Sequence, residues 1–337
     1  MKPADPVDVV VTWVDDSDAS WRNDRDRIRG GTSQDVERNT PERYRDWGAL
    51  RYFFRALEQN CSWARYIHFV TVNPVPVWVN KEHPKLRVVH HRDFIPEGFL
   101  PTFNSRAIEV HLHKIPDLSE NFIYVNDDTY ITRKIGKEHF FPKQKPAAMA
   151  ISNALSIGDN ISHAILNNIR VINNHFDKKR VILRSPFKWL NPTYGVKIFQ
   201  NVALLPWPKF TGFHISHLPQ ALRKSTMRKV WDVEHLLLEE TANSRFRQFT
   251  DLNPYLFTYW DICTGQFTPV SPTRYGRYFQ IGQSSVQKMT RSIAEGRIPI
   301  ICINDGESSS FASDRNQILG ALARRFPTQS SFEMDNG

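Results

Sequence analysis

Between residues 7 and 132, short apolar runs alternate with stretches of helical spacing, and that alternation leaves few folds open. Val7 to Val14 is a β-branched run that stops in the turn-forming cluster Asp15-Asp16-Ser17-Asp18. Asp46 to Gln59 puts Leu50, Phe53, Phe54 and Leu57 on one helical face. Tyr66 to Val72 reads as a second strand, stopped by Asn73-Pro74, and Leu86 to Val89 as a short third. Asn104 to Ile115 is amphipathic, with Ile108, Leu112 and Ile115 as its apolar stripe. Phe122 to Val125 is the next strand, and it runs straight into Asn126-Asp127-Asp128. Strand, helix, strand in this order predicts an α/β fold with a mainly parallel, Rossmann-like sheet flanked by helices.

Beyond residue 151 the pattern changes. Ile161 to Phe176 and Gln220 to Glu240 read as helices, joined by Pro-rich loops such as LLPWPKFTG. Strand-like segments return at Tyr278 to Ile281 and Ile298 to Ile303, and a helix follows from Asp314 to Arg325. The last strand is expected to rejoin the first sheet. The chain is therefore read as a single domain over 1–337. Its parts are an α/β core over 1–150, a largely helical insertion over 151–270, and C-terminal strands and a helix over 271–337 that rejoin the core.

Composition narrows the class. With 40% apolar and 23% charged residues the chain is expected to be an ordinary soluble protein, and no window approaches a membrane span. MKPADPVDVVVTWV enters the first strand almost directly and lacks the features of a signal peptide, so a cytoplasmic protein is expected. Cys61, Cys263 and Cys302 are far apart, odd in number and without CxxC spacing. They are expected to be small buried residues, not a disulfide framework or a zinc site. The net charge of +9 suits anionic ligands or an anionic surface, but Lys and Arg are spread without a block, as on a solvated basic face.

Three strands end in acids: at Asp15 to Asp18, at Asp127-Asp128, and at Asp305 with Glu307. Ligands of parallel α/β sheets bind at the carboxyl ends of strands, and carboxylates there can hold Mg²⁺ or Mn²⁺ against a diphosphate. An isolated Asp in such a place more often caps a helix or closes a turn. Asp127-Asp128 supplies two charges where one cap would do. Ser105, Glu109 and His113 share one helical face at i, i+4, i+8, which is also the pattern of a solvated face. His214 and His217 in TGFHISHLPQALRK offer a side chain that titrates near neutrality, though a lone His is more often structural. Arg245 and Arg247 in NSRFRQFTD offer guanidinium forks for phosphate, though a single Arg is usually a surface residue.

Taken together these segments resemble the Stealth family of hexose-1-phosphate transferases, which includes bacterial capsular and exopolysaccharide phosphotransferases. The resemblance rests on four blocks that cover nearly the whole chain. They are DVVVTWVDDSD; the run from Arg43 to Asp128 with LPTFNSRAIE and FIYVNDD; SHLPQALRK through SRFRQFTDLNPYLFTYW; and IICINDGESSS through FPTQSSFE. The pairing of LPTFNSRAIE with FIYVNDD is the most specific part. The chain departs from the family pattern at Val11, where Tyr is usual, at Asp16, where Gly is usual, and at Ala49, where Glu is usual.

The resemblance implies a nucleotide-sugar-binding core and a reaction in which an acceptor sugar hydroxyl attacks the β-phosphorus of a UDP-sugar. Sugar-1-phosphate moves to an acceptor polysaccharide or lipid-linked glycan, and UMP leaves. By similarity, Glu109, Asp128, His217 and Arg247 match catalytic positions. Asp128 with Asp127 would bind the metal, Mg²⁺ or Mn²⁺. His217 would activate the acceptor hydroxyl, and Arg247 would hold phosphoryl oxygens. Glu109 would be a second metal ligand or an alternative base. Trp13, Asp15, Asp18 and Arg55 are assigned to the nucleotide pocket. A basic surface at the inner face of the cell membrane would suit a lipid-linked acceptor. Two other readings stay open. A metal-dependent glycosyltransferase would use the same acids but release UDP, and the His-Leu-Pro and Arg blocks after residue 210 count against it. A basic polyanion-binding protein fits the charge and the nine Trp, yet gives the strand-end acids no purpose. Nucleic acid is not expected as a partner, because no nucleic-acid motif is recognisable.

Overall fold

The computed structural model describes residues 5–29, 44–158, 160–306 and 308–334; Glu307 lies outside the described residues. The first part contains β1 (Val7–Thr12), α1 (Ala19–Arg29), α2 (Leu50–Asn60), β2 (Ile67–Thr71), β3 (Leu86–His90), α3 (Ser105–Glu109), β4 (Asn121–Asn126), β5 (Thr129–Ile131) and β6 (Ala147–Ala148). Helices dominate next: α4 (Asn160–His175), α5 (Lys178–Arg184), α6 (Pro186–Trp189), α7 (Ile198–Leu204), then strand β7 (Gln220–Arg223), α8 (Lys224–Asn243) and α9 (Tyr255–Cys263). The chain ends in β8 (Thr268–Pro269), α10 (Pro272–Tyr275), β9 (Arg277–Gln280), α11 (Val286–Glu295), β10 (Ile300–Asn304) and α12 (Phe311–Arg325).

The central sheet has five strands in the order β3-β2-β1-β4-β7. β1, β2, β3 and β4 are mutually parallel, and β7 runs antiparallel along the outer edge of β4. Parallel strands are covered on both faces, which is why VDVVVT and NFIYVN are buried along almost their whole length. Asp8 is the polar exception in β1, fully buried and held by the Arg65 fork at 2.9 and 2.6 Å, His68 Nε2 at 3.2 Å and the Ser119 N–H at 2.8 Å. α2 packs Leu50, Phe53, Phe54 and Leu57 into the core, the face its spacing predicts. One continuous cluster of buried apolar residues runs through the sheet, the helices of 160–263 and the C-terminal elements.

Three sequence expectations need correction. The last strand does not rejoin the first sheet: β10 pairs antiparallel with β5 and parallel with β9 in a separate three-stranded sheet. The outer edge of β4 is already taken by β7, so β10 finds its partner one turn further along the chain. Gln220 to Arg223 is that edge strand and not the first turn of a helix, because the edge of a sheet offers unpaired backbone groups. The helix expected to reach Ile115 stops at Glu109. The Val110 carbonyl accepts the Trp231 indole N–H at 2.8 Å, and Lys114 N–H turns back to the His111 carbonyl in a tighter turn. His113 is buried beside Trp231 and does not share a polar face with Glu109.

The strand order fixes where a ligand can sit. From β1 the sheet grows one way to β2 and β3, then the other way to β4. The carboxyl ends of β1 and β4 are thus the point at which the order reverses and a crevice opens.

Candidate active site

At that crevice lies a cleft of about 810 Å³. Thr12 and Trp13 leave β1 on one side, and Tyr124 to Asp128 leave β4 on the other. Thr12 and Asn126 are register partners at the two strand ends. Asp127 and Asp128 are the two-residue turn that carries the chain from β4 in the large sheet into β5 in the small one. The other walls include α3, the start of α4, residues 215–218, Arg247, Asn253 to Tyr255, the ends of β9 and β10, and Asp305 with its ion-pair partner Arg45. Glu109, Asp127, Asp128, His217, Arg247 and Trp13 all line this one cleft.

Asp128 is partly exposed and accepts from Thr129 Oγ1 at 3.1 Å and from the Cys302 thiol at 3.4 Å. Its backbone carbonyl accepts from the Ile303 N–H at 2.9 Å, which pins the turn to β10. Burial, and then the Asp128 and Asp46 carboxylates, push Asp127 well above the usual carboxylate range. One oxygen of Asp128, one ring nitrogen of His217 and the Cys302 sulfur lie within 4.8 Å of one another. Among the described residues, this is a grouping able to hold a metal ion, and Asp127 is not part of it. Cys302 is buried, and burial and the Asp128 charge push its thiol up, so it donates to Asp128 as a neutral S–H. The carboxylate oxygens of Asp128 suit a hard cation such as Mg²⁺ or Mn²⁺, whereas the expected second ligand, Asp127, lies outside that grouping.

Glu109 ends α3, whose start is capped by Asn104: its side chain accepts the Arg106 N–H and donates to Asp251 Oδ2 at 2.9 Å. Across the cleft floor the Tyr124 hydroxyl donates to Glu109 Oε1 at 2.8 Å and lies 3.3 Å from Thr12 Oγ1. Tyr124→Phe is expected to cost about 1–2 kcal/mol in thermal unfolding. That cost should shrink towards zero in a Glu109→Ala background, which a double-mutant cycle reads directly.

His217 stands on the loop before β7. Its Nε2 is 3.3 Å from the Asn126 side-chain nitrogen, and its Nδ1 is 3.5 Å from the Tyr255 hydroxyl. An amide N–H facing Nε2 selects the tautomer with its proton on Nδ1 and leaves Nε2 as the accepting nitrogen. Tyr278 meets the ring edge-on at 5.5 Å. His214 lies away from the cleft, its backbone N–H bonded to Ile151 O, and burial lowers its pKa to about 4.

Arg247 donates to Ser105 Oγ at 2.8 Å and makes no ion pair among the described residues. Arg106 is buried beside it, 3.5 Å from Asp251, and its pKa is lowered by burial and then by the Arg247 charge. Two guanidiniums facing one cleft favour an anion there. Arg245 is spent on the Pro101 and Gly98 carbonyls.

The residues assigned to a nucleotide pocket divide. Trp13 lines the cleft, and its buried Nε1 has no hydrogen-bond partner among the described residues. Asp18 caps α1 by accepting the Ser20 and Trp21 N–H groups, and Asp15 accepts the Ser17 N–H in the preceding turn. Asn73 bridges this loop to β2. Both acids are therefore occupied in closing the β1–α1 loop and do not line the cleft. Arg55 lies elsewhere: its fork closes on Glu333 at 2.7 and 2.8 Å and reaches the Phe326 carbonyl, tying α2 to the C-terminus. Asp16, where the family pattern has Gly, is not among the residues of positive φ, so that position does not require glycine. Sequence reasoning missed Tyr124, Tyr255 and Cys302 as neighbours of the site. Only the polar hydroxyl of Tyr124, inside an otherwise apolar strand, carried a signal.

Comparison with known proteins places the chain in a family. Residues 43–149 match the profile of Stealth protein conserved region 2, a span that includes Glu109 and both carboxylates of the β4–β5 turn. The chain is 36% identical over 335 residues to the capsular polysaccharide phosphotransferase WcwK of Streptococcus pneumoniae, covering 99% of each. It is 36% identical over 330 residues to the exopolysaccharide phosphotransferase cps2G of Lactiplantibacillus plantarum, covering 97% of this chain and 96% of that one. Among solved structures, mouse xyloside xylosyltransferase 1 is similar at 13% identity and a TM-score of 0.35, covering 89% of this chain and 98% of that one, too slight a likeness to bear on the chemistry. Identity at this level over nearly the full length establishes that the chain belongs to the Stealth family of phosphotransferases.

Proposed function

We propose that this phosphotransferase moves sugar-1-phosphate from a UDP-sugar to a hydroxyl of an acceptor polysaccharide or lipid-linked glycan, in capsular or exopolysaccharide synthesis. The observation that carries this reading is the convergence of Glu109, Asp128, His217 and Arg247, distant in sequence, on the cleft at the β1/β4 switch point. In the proposed step, the acceptor oxygen forms a bond to the β-phosphorus. The bond from that phosphorus to the bridging oxygen breaks, and UMP leaves with the bridging oxygen. Phosphoryl transfer asks mainly for positioning and for neutralisation of charge. His217 Nε2 takes the proton of the attacking hydroxyl, which replaces the Asn126 N–H as the donor to that nitrogen, while Tyr255 orients the ring at Nδ1. Arg247, steadied by Ser105, holds phosphoryl oxygens. Asp128 and Asp127 would hold Mg²⁺ or Mn²⁺, which when bound neutralises diphosphate charge. Glu109, fixed by Tyr124, is a further ligand or an alternative base. Trp13, with its unpaired indole N–H, is available to the nucleotide.

We further place the reaction on the cytoplasmic side, where nucleotide sugars are used, and treat the chain as one catalytic unit with the divisions 1–150, 151–270 and 271–337. No helix among the described residues is long and apolar enough to cross a membrane. The decisive experiment incubates the protein with UDP-N-acetylglucosamine and related UDP-sugars, Mg²⁺ or Mn²⁺, and a panel of acceptor glycans, then identifies the nucleotide released. UMP is expected, with its release lost in Asp128→Ala and His217→Ala. UDP would mean glycosyl transfer and would overturn the proposal.

A further inference from the structure

The helices α5, α6 and α7, with the tight turn Pro192–Lys197 between α6 and α7, form a compact plate. Lys178 Nζ bonds the Leu204 and Trp207 carbonyls, the Tyr194 hydroxyl donates to Lys188 O at 2.9 Å, and Asn201 Nδ2 donates to Trp189 O at 2.6 Å. Val181, Trp189, Tyr194 and Asn201 are turned into the protein. Leu183, Phe187, Val196, Phe199, Val202 and Trp207 are not: Phe187 is 86% exposed, Val196 81%, Leu183 77% and Phe199 73%. Scattered apolar side chains on a surface need no explanation, but this many on one small unit mark a surface with a partner.

The charge pattern around them is one-sided. Lys179, Arg180, Arg184, Lys197 and Lys209 lie among the apolar positions, and no Asp or Glu occurs between Asp177 and Asp232. Lys179, Arg180, Arg184 and Lys209 are exposed. Apolar residues bordered by Lys and Arg, with no acids, are the composition of an element that lies in a bilayer interface.

We propose that this plate is a membrane-docking surface that lays its apolar side chains into an anionic bilayer while its basic residues meet the headgroups. Charge argues against a second copy of the chain as the occupant, since a two-fold contact would set this basic segment, which carries no acid of its own, against itself. Nucleic acid would accept the basic residues but leaves the apolar ones unexplained. The chain leaving the plate at Trp207 runs on into the segment that carries Ile215 to Leu218 into the cleft, so a docked plate ties one wall of the cleft to the bilayer. The inference is independent of which sugar is transferred.

The test is co-sedimentation of the full chain with phosphatidylcholine vesicles, with and without phosphatidylglycerol. Binding to the phosphatidylglycerol vesicles that weakens with added salt is expected. Phe187→Ser/Phe199→Ser should lower partitioning by at least about tenfold with an unchanged melting temperature, because both side chains are already in water. Lys179→Gln, Arg180→Gln and Arg184→Gln should each lower it by about fivefold. Equal partitioning of the wild type and the double Phe variant, or no binding to anionic vesicles, would overturn the proposal. Sedimentation velocity supplies a second readout: a concentration-dependent dimer lost in the double variant would assign the plate to self-association instead.

Discussion

Replacing Asp128 by Asn is expected to lower turnover by about 10²–10³-fold at saturating substrate and Mg²⁺, with little change in thermal stability. The carboxylate is partly exposed and its side-chain partners are few, Thr129 Oγ1 and the Cys302 thiol. Asn keeps an oxygen for Thr129, and the backbone bond from Ile303 is untouched. What is lost is the negative charge that, in the proposed reaction, faces the donor diphosphate and its cation. Steady-state kinetics beside a melting curve would separate the two effects. Full turnover in Asp128→Asn would remove Asp128 from the chemistry and leave the acid turn as a structural link between the two sheets.

The largest expected loss of stability comes from a residue far from the chemistry. Asp8 in β1 is fully buried, and Arg65, His68 and the Ser119 N–H all converge on it. Burial alone would raise its pKa; the Arg65 fork, then His68 and Ser119, more than offset this and hold it well below the usual carboxylate range. Asp8→Ala leaves a buried imidazole and half-buried guanidinium without their partner and is expected to cost about 3–5 kcal/mol, read in urea unfolding. The same cluster sets a pH dependence. Because the folded pKa is depressed, the unfolded chain binds the extra proton, so the contribution is complete above the ordinary aspartate value of about 3.9 and is lost as the pH falls below it. Asp8→Asn should flatten that acid limb. An unchanged limb would mean that other carboxylates carry it.

The placement of the acids illustrates how local and long-range information differ. That FIYVNDD is an apolar strand ending on two carboxylates is a local fact, and the acids do line the cleft. The VDDSD cluster looks equally suggestive in sequence, yet Asp15 and Asp18 are spent on closing a turn and capping α1. A cap and a ligand use the same residue types, and only the neighbours distinguish them. Arg55 shows the same limit: its partner Glu333 lies at the other end of the chain, and nothing local announces the pair.

The sequence by itself determined the period of most elements, the parallel character of the buried strands and the candidate acids, His and Arg. These follow from side-chain shape and from which residues repeat along one face. The tertiary structure alone decided that β10 joins β5 and β9, that Gln220–Arg223 closes the edge of β4, and that α3 stops at Glu109. It also brought Tyr124 to Glu109, Cys302 to Asp128 and Tyr255 to His217. Each depends on which distant group reaches an unpaired donor, acceptor or strand edge first, and periodicity carries no record of that competition.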